Sequence, residues 1–166
     1  MQTVRLGKTE LVVSKNGFGA LPIQRISQAD AVYLLQKAFD SGINYYDTAR
    51  WYTDSEEKMG IALAHVRDKI IISTKTGATE ATQFWSDLET SLTNLKTDYI
   101  DIYQFHNPAF CPKPGDESGV YECMLEAKEK GMKASIKMLV PMLLFIFPVV
   151  FIILMGPTVL NIIENF

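Results

Sequence analysis

Apolar and polar positions alternate over the first thirteen residues, with Val4-Arg5-Leu6 before Gly7-Lys8 and Leu11-Val12-Val13 after it. That pattern predicts a β-hairpin turning at the glycine. Asn16-Gly17-Phe18-Gly19-Ala20-Leu21-Pro22 reads as a glycine-rich strand end, where a ligand can approach the backbone closely. The period then changes. Ser27-Gln28-Ala29-Asp30 heads a helix with Val32, Leu35 and Phe39 on one face, and Gly42 is its stop. Ile43 to Asp47 is a short strand. A helix over about 55–63 follows, with Asp54 and Glu57 as a capping pair. Lys69-Ile70-Ile71-Ile72-Ser73-Thr74-Lys75 is again strand-like, and Phe84, Leu88, Leu92 and Leu95 mark a third helix. Tyr99 to Phe105 is a strand that delivers His106. A loop with Pro108, Cys111, Pro112, Pro114 and Gly115 leads to a helix from about Gly119 to Lys130.

Four strand and helix units in series predict an α/β fold, a partial (β/α)8 TIM barrel with an N-terminal hairpin. A closed ring takes about 250 residues, so residues 1–131 are expected to form a half-barrel. Residues 132–166 change class. From Met138 to Leu160 there is no charged residue, a run of the length that crosses a bilayer core. Pro141, Pro148 and Pro157 are better tolerated in a membrane helix than in a water-soluble one, a buried core helix being the alternative. Lys128, Lys130, Lys133 and Lys137 precede the span, which predicts a cytoplasmic N-terminal part anchored to the inner membrane by a transmembrane C-terminal helix.

Composition changes this picture little. A net charge of −3, 48% hydrophobic residues and a mean hydropathy of +0.06 describe a soluble protein on average, although the apolar residues gather at one end. Without a basic patch, nucleic acid is not an expected partner. Cys111 and Cys123 fit neither a metal site nor a disulfide framework and read as free thiols of a reducing compartment. The first residues lack the apolar core of a signal peptide.

The candidate chemistry lies between Ile43 and Lys75. A lysine that closes a buried strand needs a partner, because a buried ammonium is costly unless paired. Asp47, at the end of the preceding strand, is the natural one. Tyr52 sits in the loop between them with Arg50 and Trp51. A structural ion pair with an ordinary loop aromatic accounts equally well for this spacing.

The run Asp47-Thr48-Ala49-Arg50-Trp51-Tyr52-Thr53-Asp54-Ser55-Glu56-Glu57-Lys58-Met59-Gly60-Ile61-Ala62-Leu63 resembles the signature of the aldo-keto reductases: Asp-Thr-Ala, a Tyr five residues after the Asp, and Ser-Glu heading a Gly-x-Ala-Leu helix. The resemblance implies reduction of aldehydes and ketones by hydride from NADPH or NADH, with Asp47, Tyr52, Lys75 and His106 as the catalytic positions. Tyr52 would protonate the carbonyl oxygen as charge grows on it. Lys75 would stabilise the anion left behind, Asp47 would keep Lys75 charged and aimed, and His106 would orient the carbonyl. Gly19, Ala20, Leu21 and Asp47 would meet the cofactor, and Trp51 would wall the pocket of a small carbonyl substrate. His65 reads as a solvated surface histidine. In the family the second half of the barrel brings most cofactor contacts, so a half-barrel is expected to be inactive alone or completed as a homodimer.

The tail has its own resemblance. Lys137-Met138-Leu139-Val140-Pro141, Phe145-Ile146-Phe147-Pro148 and Gly156-Pro157 are similar to the last transmembrane helix of type II secretion and tight-adherence platform proteins. The alternative is therefore a catalytically inactive chimeric or membrane-tethered protein whose tail belongs to a secretion or pilus assembly platform, the two parts meeting near 130–135.

Overall fold

The structure, a computed structural model, describes residues 1–131. In the compact unit Met1–Cys123, β1 (Thr3–Arg5) and β2 (Val12–Ser14) pair antiparallel with Val4 opposite Val13, in a sheet of their own. Gly7 takes φ +57° in the turn, a conformation open to glycine at little cost. The hairpin is tied to the rest by Asn44, whose Oδ1 accepts from Ser14 N–H at 2.6 Å while its Nδ2 donates to Val12 O at 3.0 Å.

β3 (Phe18–Gly19), β4 (Tyr45–Asp47), β5 (Ile71–Thr76) and β6 (Ile102–Phe105) form one parallel sheet in chain order. Parallel neighbours need a crossover. α1 (Gln28–Asp40), α2 (Ser55–Leu63) and α3 (Ala81–Leu95) supply it, and the chain is helical again over 120–131. The expected α/β order of four strand and helix units is present, as a partial barrel-type sheet. The strands start later than the apolar runs suggested. Ala64–Lys69 winds into a 3-10 turn before β5. At the start of β6 the Asp101 carboxylate, not a backbone carbonyl, takes Ile72 N–H at 2.9 Å.

One face of the sheet packs against the helices. Leu35, Tyr46, Met59, Leu63, Ile72 and Leu95 are each 2% exposed or less and form the centre of this core. Full burial of an aliphatic or Met side chain contributes about 1.5–3 kcal/mol. On β5 the residues alternate: Ile72 enters the core, Thr74 reaches α2 through Glu56, and Thr76 reaches α3 through Asp87. Ser73 and Lys75 therefore lie on the opposite, inner face.

The helix ends follow local chemistry. Ser27 Oγ accepts Asp30 N–H at 3.1 Å and donates to Asp30 Oδ2 at 2.7 Å, capping α1. Gly42, at φ +89°, ends it: Gly42 N–H donates to Phe39 O and Ile43 N–H to Ala38 O, the Schellman arrangement. The expected cap at Asp54 does not form. Asp54 has φ −103° and ψ 9° rather than the extended backbone of a capping residue, and its carboxylate pairs with Lys58 at 2.8 Å instead. Glu57 is exposed.

The apolar run 138–160, its bilayer crossing and the whole segment 132–166 lie outside the described residues. Among the described residues no helix is long and apolar enough to cross a membrane.

α2 and α3 approach closely at Gly60, where an added Cβ would sit 2.1 Å from Asn94 O and 2.9 Å from Leu95 C. Alanine is the better helix former by roughly 0.8–1.0 kcal/mol, but overpacking costs about 1–3 kcal/mol and the obstacle here is backbone. Gly60→Ala is expected to lower the denaturant midpoint at unchanged m. A raised midpoint would contradict this helix contact.

Candidate active site

The carboxyl ends of the four parallel strands lie side by side, and the backbone ladder runs on beyond them. Ala20 N–H donates to Asp47 O at 2.8 Å, Thr48 N–H to Ser73 O at 2.8 Å, Arg50 N–H to Lys75 O at 2.9 Å and His106 N–H to Thr76 O at 2.7 Å. Each rim residue is thus held by its neighbour strand before any side chain acts.

Asp47 stands opposite Ser73 in the register. Lys75, two residues on, shares Ser73's face, and its ammonium reaches back to Asp47 Oδ2 at 2.6 Å and Thr48 O at 2.7 Å. Two of its three protons are committed this way. The Lys75 side chain is 16% exposed and that of Asp47 35%. Tyr52 is half-buried in a tight loop, its N–H donating to Ala49 O at 3.0 Å and its carbonyl accepting Ser55 N–H at 2.8 Å. Lys75 Nζ lies over the Tyr52 ring, 5.7 Å from its centroid. His106 meets Tyr52 edge to face at 5.5 Å, and Trp51 stacks on His106 at 4.8 Å. The Asp47 carboxylate, the Lys75 ammonium, the Tyr52 phenol and the His106 imidazole therefore share one mouth of the sheet.

Burial pulls the His106 imidazole below its ordinary value of 6.5. The Lys75 ammonium lowers it further and Asp47 opposes the shift. Nδ1 of His106 is buried and makes no hydrogen bond within the protein. The shift favours the neutral ring, in which one nitrogen donates while the other accepts.

The glycine-rich strand end divides. Ala20 is fully buried, its N–H given to Asp47 O and its carbonyl accepting Ser55 Oγ at 3.0 Å. The N–H and the carbonyl of Ala20 are thus both hydrogen-bonded within the protein. Gly19 is exposed with nothing within 4 Å of where a Cβ would stand, and Leu21 is 44% exposed. Trp51 is 57% exposed at the mouth, and His65 lies at the surface away from it.

Several residues that support the loop have no role assigned to them by the sequence reading. Glu56, 1% exposed, pairs with Arg50 and accepts Thr74 Oγ1 at 2.7 Å. Thr48 Oγ1 and Ser55 Oγ are hydrogen-bonded at 2.9 Å. The Lys58 ammonium is saturated by Ile23 O, Ile26 O and Asp54 Oδ2 at 2.8 to 2.9 Å. The available signal is that α2 is buried on most of its surface, so its charges must find partners inside.

Residues 15–136 match the model of the aldo/keto reductase family. The chain belongs to that family. It is 35% identical over 120 residues to the oxidoreductase YqkF of Bacillus subtilis, a match covering 64% of this chain and 39% of that protein. L-galactose dehydrogenase of Arabidopsis thaliana is also 35% identical over 120 residues, with 63% and 38% covered. Among solved structures, the holo form of aldo-keto reductase AKR11C1 from Bacillus halodurans superposes with a TM-score of 0.70 at 32% identity, over 79% of this chain and 47% of that one. An aldo-keto reductase from Klebsiella pneumoniae in complex with NADPH gives 0.68 at 28%, over 78% and 46%. The chain spans about two fifths of the length of these curated relatives.

The charges around His106 set the sign of a titration test. In NMR, His106 is expected to titrate below 6.5. Lys75→Met should move its midpoint up and Asp47→Asn should move it down. Because the folded value is depressed, the neutral ring favours folding above the unfolded value near 6.5, and that contribution is lost as pH falls from there through the folded value. Midpoints indifferent to both substitutions would place His106 away from the pair.

Proposed function

We propose that the described residues form the proton-donating side of a carbonyl reductase, with Tyr52 as the acid and NADPH as the hydride source. The observation that carries this reading is the Lys75 ammonium, held by Asp47 and Thr48 O at the rim that Tyr52 and His106 share. A purely structural ion pair needs neither aromatic ring.

The residues present fit the nicotinamide end of such a cofactor. Gly19 leaves open space at its Cβ position beside Asp47, and the buried Nδ1 of His106 has no protein partner. When bound, a reduced nicotinamide supplies hydride to the carbonyl carbon. Tyr52 then gives its phenolic proton to the carbonyl oxygen as the π bond opens, which yields the alcohol, and recovers a proton from solvent. Lys75 stabilises the phenolate formed in that step, and its pairing with Asp47 keeps it an ammonium. His106, neutral and fixed between Trp51 and Tyr52, hydrogen-bonds the same oxygen and orients it. The NADPH-bound relative supports this choice of cofactor. An aldehyde or ketone small enough to lie under Trp51 is the substrate class.

Two measurements on the full chain test this. NADPH fluorescence should be quenched saturably, and the chain should oxidise NADPH when an aldehyde is supplied. Tyr52→Phe should lower turnover by about 10²-fold or more with circular dichroism and quenching unchanged. Equal turnover in Tyr52→Phe would remove Tyr52 as the acid.

A further inference from the structure

Trp51 occupies its place at the mouth because of what position 77 lacks. A Cβ built on Gly77 would lie 1.9 Å from Trp51 Cζ2, 2.1 Å from Cε2 and 2.6 Å from Nε1. The indole is therefore laid flat against the Gly77 backbone, in the turn directly after β5. The same indole also stacks on His106, 30° from parallel at 4.8 Å. No alanine or larger residue at 77 permits that pose. Gly77 does not adopt positive φ, so its freedom from a side chain, not an unusual backbone, is what the site uses.

Beside this contact lies a cavity of about 160 Å³, with Trp51, Gly77, Thr79, Phe105, His106 and Pro108 in its wall. A cavity of roughly 150 Å³ accepts a benzene ring. The indole is one wall and His106, which faces the reacting oxygen in the proposed mechanism, is another.

We propose that Gly77 is a specificity-determining residue, which seats Trp51 on His106 and so shapes the site for a carbonyl compound with one flat apolar substituent, an aryl aldehyde or ketone. The substituent stacks against the indole while its carbonyl reaches Tyr52 and His106. With a side chain at 77 the indole swings out toward solvent. It is already 57% exposed, so it can move without disturbing the core. The substrate part of this proposal rests on the reductase reading above. The seating of Trp51 does not.

The test uses the full chain with Trp85→Phe, which leaves Trp51 as the one tryptophan of the sequence's two. A protonated imidazole quenches a stacked indole, so Trp51 emission should fall in a single step as His106 takes up a proton. His106→Gln should abolish the step. Adding Gly77→Ala to Trp85→Phe should abolish it as well, with circular dichroism unchanged. Retention of the step at full amplitude in the Gly77→Ala protein, or in the His106→Gln control, would overturn the seating. In the wild-type background, Gly77→Ala and Trp51→Ala should each reduce the preference in kcat/KM for benzaldehyde over a short aliphatic aldehyde by about tenfold, and the double variant should lose no more than either alone. An unchanged preference in both single variants overturns the substrate assignment. If the wild-type chain reduces no carbonyl compound at all, the reductase reading fails with the substrate assignment, while the fluorescence step still decides the role of Gly77.

Discussion

An ammonium at the end of a buried strand must be neutralised where it stands, and Lys75 meets that demand through Asp47 Oδ2 and Thr48 O. The pairing is available only if β4 and β5 run parallel with Asp47 opposite Ser73. A slip of one residue would send Lys75 to the face where Ile72, Thr74 and Thr76 pack against helices. The charge pair and the register therefore enforce each other. The same register carries Arg50 N–H to Lys75 O and His106 N–H to Thr76 O, so the electrostatic requirement of one side chain propagates through the backbone to every residue at the mouth.

A second set of buried charges supports the loop from beneath. Glu56 has almost no solvent contact and is neutralised by Arg50, two residues before Tyr52. Breaking a buried pair by removing one member costs about 3–5 kcal/mol, a large part of the stability of a domain of this size. Lys58 fastens the turn after β3 to α2 by two carbonyl acceptors. At the other end of the sheet Arg67 binds Ile70 O, Tyr99 O and Asp101 while lying 3.8 Å over the Tyr99 ring. Each of these charges connects a loop to a rigid element, which is how a rim made of loops keeps its side chains within ångströms of one another.

The alternation of strand and helix was legible because the apolar period changes cleanly, from Val32, Leu35 and Phe39 to the unbroken Ile70-Ile71-Ile72. Lys75 and Asp47 were legible for a different reason: a charge that interrupts an apolar run demands compensation, and only one acid stood at the equivalent place. What was not legible depends on three dimensions. Asp54 and Glu57 have the spacing of a cap, but the backbone at Asp54 turns its carboxylate toward Lys58. Ala20 is held through its amide by Asp47 and through its carbonyl by Ser55, partners 27 and 35 residues away. The contact of Gly77 with Trp51 joins residues far apart in the chain through nothing but shape, and no pattern of letters carries shape.

The division of labour within the site follows from where its parts originate. Asp47, Tyr52, Lys75 and His106 come from three successive strand ends and the loop after the first of them, all inside Met1–Cys123. Their mutual geometry depends on the ladder of β4, β5 and β6 and on the helices behind it, not on the residues that would hold the far end of a dinucleotide. In the proposed mechanism, proton donation and hydride donation are therefore separable problems. The ammonium, phenol and imidazole can be fully organised in a chain that binds a nucleotide weakly, because their alignment is fixed by folding rather than by ligand. Preorganisation of this kind makes a donor effective at the moment charge appears on oxygen. It also means that titration of His106 and emission of Trp51 report on the arrangement of these side chains directly, independently of any bound ligand.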